Sequence, residues 1–333
     1  MSPRERYFAV LRGGRPDILP RLPILMQFAA EHIGSHYGAF ASDYRVLVEA
    51  NLRCAEEFGL DQLSASSDPY RETAGFGATI AFPRDGVPLC LQPPLAEHPD
   101  LAQLQRPDPL QAPRMLDRIE AVRAFRARGG DRYSIMGWVE GPAAEAADLR
   151  GAANFFMDLL DDPAYARRLM ARCVDTAIDF AGAQIAAGAD TIGIGDAVAS
   201  QVSKRTYESL VLPFEQQLVT AVHALGARVR LHICGNTTHL LSGIATLGVD
   251  IVDLDHWVDL THARRVLGAS VVLAGNLNPV AGVMRGPPEA IKASVLRCYA
   301  AAGAPYMVAA GCEIPAPTPP AHLRALCTPV TPG

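Results

Sequence analysis

The sequence predicts an α/β protein, a TIM (β/α)8 barrel with an N-terminal helical extension and a β-hairpin insertion. Short apolar runs rich in branched side chains alternate with longer amphipathic segments, and eight such runs occur along the chain. Polar residues follow the ends of most of these runs. An open doubly wound sheet is disfavoured because no strand candidate is followed by a G-x-G-x-x-G turn and a helix. We expect residues 1–333 to form a single domain.

The strand candidates are spread over almost the whole chain. They are Leu22–Phe28, Asp61–Ser66, Tyr133–Val139, Asp190–Gly195, Arg228–Cys234, Val249–Leu254, Ser270–Gly275 and Tyr306–Gly311. Helical patterns lie between most of them, for example Tyr207–Gly226 and Pro287–Gly303, which both end in a glycine suited to a helix C-terminus. This alternation predicts parallel strands joined by crossover helices.

Two segments depart from the repeat. The stretch Gly75–Pro94 has the pattern of a β-hairpin inserted in the second βα connection. The charged N-terminal segment is expected to form a helix outside the barrel.

Composition excludes several classes of partner. Charged residues make up 20% of the chain and are mixed in sign, with a net charge of -5, and no basic patch is sustained, so nucleic acid is not expected as a partner. The N-terminus has no apolar signal-like region and no apolar run is long enough to span a bilayer, so we expect neither secretion nor membrane association. Seven scattered cysteines do not suggest a disulfide framework, and a cytoplasmic location is expected.

Polar residues mark the carboxyl ends of the predicted strands. In a barrel these ends meet at one mouth, where active sites are built. The residues at or just beyond the strand ends are Asp68, Glu140, Asp196, Cys234, Asp255, Asn276 and Cys312.

The stretch "LHICGN" contains the most specific pair. Side chains alternate along a strand, so His232 and Cys234 point the same way, towards the barrel interior. Imidazole nitrogen and thiolate sulfur are preferred zinc ligands, and Cys312, at the end of the eighth strand, is the best candidate for a third ligand. On these residues alone, a metal site and a set of core cysteines remain alternative interpretations.

Carboxylates at the strand ends suggest further roles. Asp196 and Asp255, with Glu140, are candidate catalytic residues for substrate orientation or proton transfer, and the alternative is that they hydrogen-bond loop amides. Three more residues are candidates for substrate binding, and these are Asn276, Tyr207 and Asp68. Asp253 and Asp259 are assigned structural roles.

The motifs resemble those of the uroporphyrinogen decarboxylase superfamily, and within it the branch of zinc-dependent corrinoid methyltransferases. The resemblance is carried by "LHICGNTTHLLSGIATLGVDIVDLDHWVDLTHARRVLG", "LAGNLNP", "AAGCEIPAPTPPAHLRAL", "VEGPAAEAADLRG" and "IGIGDAVAS", and it covers essentially the whole length. It implies a TIM barrel. It also implies zinc held by an H-x-C…C motif, which falls on His232, Cys234 and Cys312.

The resemblance implies methyl transfer between a corrinoid and a thiol or other small-molecule acceptor activated on zinc. The decarboxylases of the superfamily carry an arginine-rich signature near the N-terminus, whereas "MQFAAEHIGSHYGAF" has no arginine, so porphyrin decarboxylation is disfavoured. No D-x-H-x-x-G corrinoid motif occurs, so the corrinoid, if used, is expected on a separate protein that docks over the mouth. The alternatives are a metal-free decarboxylase or lyase acting on a small carboxylate, and a non-catalytic subunit that docks a corrinoid protein. The sequence is also compatible with a homodimer.

Overall fold

Parallel strands curl around a common axis in the computed structural model, which describes residues 1–333. The strands in chain order are β1 Gln62–Ser64, β2 Thr79–Ala81, β3 Leu89–Gln92, β4 Ser134–Glu140, β5 Thr191–Gly195, β6 Arg228–His232, β7 Ile251–Leu254, β8 Val272–Gly275 and β9 Tyr306–Met307. Seven of them form one parallel sheet in the order β1-β4-β5-β6-β7-β8-β9. The predicted barrel class is confirmed.

A short segment, residues 20–22, lies between the first and last strands of this sheet. The amide of Leu22 donates to the carbonyl oxygen of Val308 at 2.8 Å, and the amide of Val308 donates to that of Pro20 at 2.7 Å. On the other side, the amide of Asp61 donates to the carbonyl oxygen of Arg21 at 3.1 Å. This segment therefore takes the eighth position and closes the ring.

The predicted first strand, Leu22–Phe28, is wrong in its placement. Only Arg21 makes a β-bridge, and a helix already begins at Gln27. Pro20 and Pro23 flank the bridging residue, and proline has no amide hydrogen to donate to a ladder. The strand is therefore reduced to a single bridge before the chain turns into the helix.

Helices surround the ring. They are α1 Pro3–Leu11, α2 Gln27–His32, α3 Tyr37–Ser42, α4 Tyr44–Phe58, α5 Arg71–Gly75, α6 Pro113–Gly129, α7 Pro142–Arg150, α8 Ala152–Asp161, α9 Pro163–Ala187, α10 Lys204–Thr206, α11 Leu212–Ala224, α12 Leu241–Ile244, α13 Leu260–Leu267, α14 Pro288–Ala302 and α15 Pro320–Leu326. Short 3₁₀ turns occur at Leu101–Gln103 and Ala197–Gln201, and π turns at Tyr207–Val211 and Pro279–Met284. No helix is both long and apolar enough to cross a membrane.

The N-terminal helix α1 closes the amino end of the barrel. A capping box holds its start, in which Ser2 and Glu5 exchange hydrogen bonds. Tyr7 and Val10 pack against side chains from the starts of the strands, and the hydroxyl of Tyr7 lies 2.8 Å from Oγ1 of Thr191. Because this end is filled, the opposite end, where the strands finish, is left for a site.

The predicted hairpin is present at that opposite end. Strands β2 and β3 pair in antiparallel fashion within the connection that follows β1. Phe82 lies under the guanidinium of Arg114, 4.7 Å from ring centre to cation, which attaches the hairpin to the start of α6. Leu89 and Leu91 on β3 are more than half exposed.

Candidate metal centre

Three ligand atoms converge at the mouth of the barrel. His232 is the last residue of β6, and Cys234 follows two residues later. The Nε2 atom of His232 lies 3.0 Å from Sγ of Cys234 and 3.9 Å from Sγ of Cys312, and the two sulfur atoms lie 3.4 Å apart. No other group of three or more potential ligands comes together in this way.

Asp253 fixes the orientation of the imidazole. Its Oδ2 atom lies 2.9 Å from Nδ1 of His232, on the side of the ring that faces away from the sulfur atoms. Arg230 donates from Nε to both oxygens of Asp253, at 2.9 and 3.0 Å. A carboxylate that accepts from the second ring nitrogen is the usual partner of a metal-binding histidine.

The sequence did not identify Asp253 as part of the site. The register of the sheet would have indicated its role, because Asp253 on β7 pairs directly with His232 on β6. In-register residues on neighbouring parallel strands face the same side, so alignment of the two strand candidates from their amino ends, Arg228 with Val249, would have found it.

Asp255 and Asn276 brace the turn that carries Cys234. The amide of Gly235, which has a φ of 91°, donates to Oδ2 of Asp255 at 3.0 Å. Asn276 donates from Nδ2 to the carbonyl oxygens of Asp255 at 3.1 Å and Val258 at 2.7 Å. The side chains of Asp255 and Asn276 are therefore engaged in holding loops together.

Cys312 is positioned by a close approach of two backbone segments. Gly311 runs against the start of the loop after β7, where a Cβ atom on it would lie only 2.7 Å from the nitrogen of His256. Glycine is therefore required immediately before Cys312.

Hydrogen bonds among the three side chains shift their pKa values. Burial opposes a charged imidazole at His232, but hydrogen bonds with Asp253 and Cys312 outweigh it and raise its pKa to about 9. The hydrogen bond from Cys234 lowers the pKa of Cys312 to about 4 against the effect of burial. The same hydrogen bond, together with burial, raises the pKa of Cys234. A divalent ion would replace these protons as the common partner.

The donor set fits zinc. Bond lengths of a tetrahedral site with two sulfur ligands and one nitrogen ligand place the ligand atoms about 3.5–3.8 Å apart. The observed separations of 3.0, 3.4 and 3.9 Å require shifts of about half an ångström or less, with Cys234 moving away from both His232 and Cys312 and with Cys312 moving closer to His232. Two thiolates and an imidazole are typical of zinc and not of magnesium or calcium.

A cavity of about 180 Å³ opens directly on the three ligands. Its wall includes Trp138, whose ring centre is 5.9 Å from that of His232. The other residues that line it are Ile24, Met26, Ser66, Asp68, Pro69, Glu140, Gly195, Ala197 and Glu313. Of the predicted carboxylates, Glu140 and Asp68 are therefore brought to the three candidate metal ligands, and Glu313 is a lining residue that the sequence did not single out.

Glu140 and Asp68 are held in different ways. Oε1 of Glu140 accepts a hydrogen bond from Nε1 of Trp138 at 2.8 Å, and burial, with Glu72 nearby, raises the pKa of Glu140 well above its ordinary value. Arg114 donates to both oxygens of Asp68 at 2.9 Å. This pairing lowers the pKa of Asp68 although burial opposes ionisation.

Asp196 and Tyr207 are not among the cavity-lining residues. Asp196 accepts from the amides of Ala143 at 3.3 Å and Ala144 at 2.7 Å, at the start of α7, and burial raises its pKa to about 7. The hydroxyl of Tyr207 donates to Glu215, and both side chains are buried. The structure thus groups Asp196, Tyr207 and Glu215 behind the wall of the cavity.

The family model for "Uroporphyrinogen decarboxylase (URO-D)" matches residues 2–331. The chain belongs to this family. Among curated relatives, the "Methylcobamide:CoM methyltransferase MtbA" of Methanosarcina mazei is 28% identical over 98% of this chain and 96% of its own length. A "Uroporphyrinogen decarboxylase" of Nostoc punctiforme is 26% identical over 88% of this chain and 87% of its own.

Solved structures show the same fold. A "methyltransferase from Methanosarcina mazei" superimposes with a TM-score of 0.90 at 24% identity, and the match covers 98% of this chain and 97% of the other. A B12-independent methionine synthase from Shewanella sp. W3-18-1 gives a TM-score of 0.60 at 14% identity, over 93% and 94% of the two chains.

Proposed function

We propose that this protein is a zinc-dependent methyltransferase that moves a methyl group between a corrinoid and a small thiol. The observation that carries the proposal is the convergence of His232, Cys234 and Cys312 on one cavity. The full-length similarity to a methylcobamide:CoM methyltransferase supports the same activity.

The chemistry needs a thiol that stays nucleophilic at neutral pH. Zinc bound by these three ligands would lower the pKa of a substrate thiol and leave it as a thiolate. The thiol sulfur forms a bond to the methyl carbon, the cobalt–carbon bond breaks with its electron pair left on cobalt, and the thiol proton is released to solvent. Methyl transfer from sulfur to cobalt would follow the same steps in reverse.

The protein residues supply orientation. Asp253 holds His232 with Nε2 towards the sulfur atoms, and Asp255 holds the turn that carries Cys234. Trp138 forms an apolar wall beside the imidazole, which limits the access of water to the sulfur ligands. Glu140 presents a carboxyl group to the bound substrate.

The corrinoid is proposed to arrive on a separate protein. A cavity of about 180 Å³ is too small to enclose a corrinoid ring, so the ring must approach from outside the mouth. Exposed apolar side chains lie at this end, including Leu89 and Leu91 on strand β3 of the hairpin and Trp257 in the loop after β7. Such side chains are typical of protein contact surfaces.

Metal analysis together with a methyl-transfer assay tests the proposal. We expect about one zinc per purified chain, and zinc-dependent methylation of a thiol by methylcobalamin. Cys234→Ser and Cys312→Ser should each lose zinc and activity. Cys90→Ser on the hairpin, outside the cavity, is the matched control and should keep both. Zinc retained in both ligand variants, or no methyl transfer to any thiol by the zinc-loaded protein, would contradict the proposal.

The decarboxylase alternative is less well supported by the cavity. A porphyrin with several carboxylates needs cationic partners, and no lysine or arginine lines the space around the three ligands. An assay with uroporphyrinogen III checks this, and we expect no decarboxylation.

A further inference from the structure

The cavity beside the metal ligands is acidic. It is lined by three carboxyl groups, those of Asp68, Glu140 and Glu313, and by no lysine or arginine. The neighbouring guanidinium of Arg118 is fully buried and does not line the cavity, and it donates to the carbonyl oxygens of Trp138 at 3.2 Å and Asp68 at 3.0 Å. With two cysteine thiolates as ligands, a divalent ion adds no net positive charge.

Only one of the three carboxyl groups already has a cation. Asp68 is bridged by both terminal nitrogens of Arg114, with Nε of Arg71 3.6 Å away. Neither Glu140 nor Glu313 forms an ion pair. The acidic surplus of the cavity therefore lies on these two residues.

Glu140 has an unused acceptor in a buried position. Its side chain accepts one hydrogen bond, from Trp138 to Oε1, and its second oxygen accepts none. Only 7% of the residue is exposed, and it lines the cavity, so the free oxygen opens on the cavity and has no partner from the protein. A buried carboxyl without a partner points to a ligand group that supplies one.

Glu313 extends the same surface. It follows Cys312 in the chain, and its Oε1 atom accepts from the amide of Gln27 at 3.0 Å. That hydrogen bond fixes the side chain at the wall of the cavity, close to the metal ligands. Glu140 and Glu313 together present two carboxyl groups without a cationic partner, and a cation bound beside them would favour their ionised forms.

We propose that the thiol substrate of this protein carries a cationic second group, such as an ammonium, and that Glu140 and Glu313 bind it. This inference rests on the proposed methyltransferase function. It differs from what the name of the Methanosarcina relative says of that protein, since coenzyme M ends in a sulfonate. An anionic sulfonate would meet two carboxyl groups and no cation in this cavity.

Three two-carbon thiols that differ only in the end group test the charge preference. They are 2-aminoethanethiol, 2-mercaptoethanol and 2-mercaptoethanesulfonate. Each is titrated into the zinc-loaded protein by calorimetry and into the cobalt(II)-substituted protein, where the sulfur-to-cobalt absorption band reports ligation. We expect the aminothiol to bind at least about tenfold more tightly than the alcohol, as for a hydrogen bond to a charged group. The sulfonate should bind most weakly.

A variant separates charge recognition from chelation of the metal by the amine. Glu140→Gln keeps the shape and removes the charge, so the affinity of the aminothiol should fall towards that of the alcohol, and the affinity of the alcohol should change less. An advantage due to chelation would survive this substitution. Glu145→Gln is the matched control, because Glu145 is equally buried but does not line the cavity. It should keep the wild-type order.

The outcomes distinguish the two proposals. If the sulfonate binds as tightly as the aminothiol, or if the advantage of the aminothiol persists in Glu140→Gln, the charge preference is wrong while thiol binding at the metal stands. If none of the three thiols changes the cobalt absorption, the proposed function itself fails. The wild-type comparison needs no variant, so poor folding of Glu140→Gln would not remove the test.

Discussion

Buried carboxylates differ in their ion pairing between the two ends of the barrel. At the amino end, Asp61 is completely buried and is paired with both Arg6 and Arg21. Around the carboxyl ends of the strands, Asp68 is paired with Arg114, but the buried acidic groups of Glu140 and Asp196 form no ion pair, and burial raises the pKa of each. The buried carboxylate at the amino end thus has cationic partners, whereas two of the buried acidic groups at the mouth have none.

This difference in pairing indicates which buried carboxylates stabilise the fold and which are available to a ligand. A buried ion pair with several hydrogen bonds has no capacity left for a ligand, and removal of one partner leaves an uncompensated charge. A buried acid without a cation costs free energy that a bound ligand can recover. The same contrast exists within the site, where Asp253 is saturated by Arg230 and His232 but the second oxygen of Glu140 is free.

The largest expected effect is at the amino end. Asp61→Asn would leave the buried guanidinium of Arg21 without a carboxylate and that of Arg6 with Asp17 alone. We expect the free energy of unfolding to fall by about 3–5 kcal/mol, measured by urea denaturation. Glu145→Gln, at a buried acid without an ion pair, should change it by less than about 1 kcal/mol. Equal losses in the two variants would remove the contrast between the ends.

The second prediction concerns pH. Burial raises the pKa of Asp196 in the folded protein to about 7, so between its ordinary value of 3.8 and pH 7 the folded state binds more protons than the unfolded state. Its contribution to stability is therefore present at low pH and is lost as the pH rises through this window. Asp196→Asn should reduce this fall by about 2–3 kcal/mol in denaturation series from pH 4 to pH 7. An unchanged pH dependence would show that Asp196 is ionised in the folded state.

The third prediction concerns Asp253. Asp253→Asn should lower zinc affinity about 10–100-fold, since the carboxylate orients His232 and increases its basicity as a ligand. Competition with a chromogenic chelator measures this. Asp255→Asn keeps an oxygen for the amide of Gly235 and should have a smaller effect. If Asp253→Asn binds zinc like the wild type, the orienting role is wrong.

The smallest effect on stability is expected at the hairpin. Leu91→Ser replaces an exposed apolar side chain, and the free energy of unfolding should change by less than about 0.5 kcal/mol. If this face contacts a methyl-carrying protein, methyl transfer from that protein should slow while transfer from free methylcobalamin is unaffected. A matched control is Leu160→Ser, which is exposed on α8. Equal rates in both variants would place the contact elsewhere.

Much of this arrangement follows from sequence pattern alone. Strand periodicity places His232 and Cys234 on one side of β6, and the closure of a barrel brings Cys312 to them from 78 residues away. Barrel closure depends on residues 20–22, and this segment is not recognisable as a strand because Pro20 and the following Pro23 allow only a single bridge.

Other features depend on three-dimensional contacts. The partnership of Asp253 with His232 needs the register of two strands that are 21 residues apart. Asp196 also stands at a strand end, but its side chain turns to the start of α7, and only packing decides that direction. The free oxygen of Glu140 is likewise visible only when every neighbour is in place.

X-ray absorption at the zinc edge tests the central claim most directly. The zinc-loaded protein should show two sulfur neighbours at about 2.3 Å together with nitrogen or oxygen neighbours at about 2.0 Å. Addition of 2-aminoethanethiol should raise the sulfur count to three. A zinc ion without sulfur neighbours, or a sulfur count that the thiol does not change, would contradict the account.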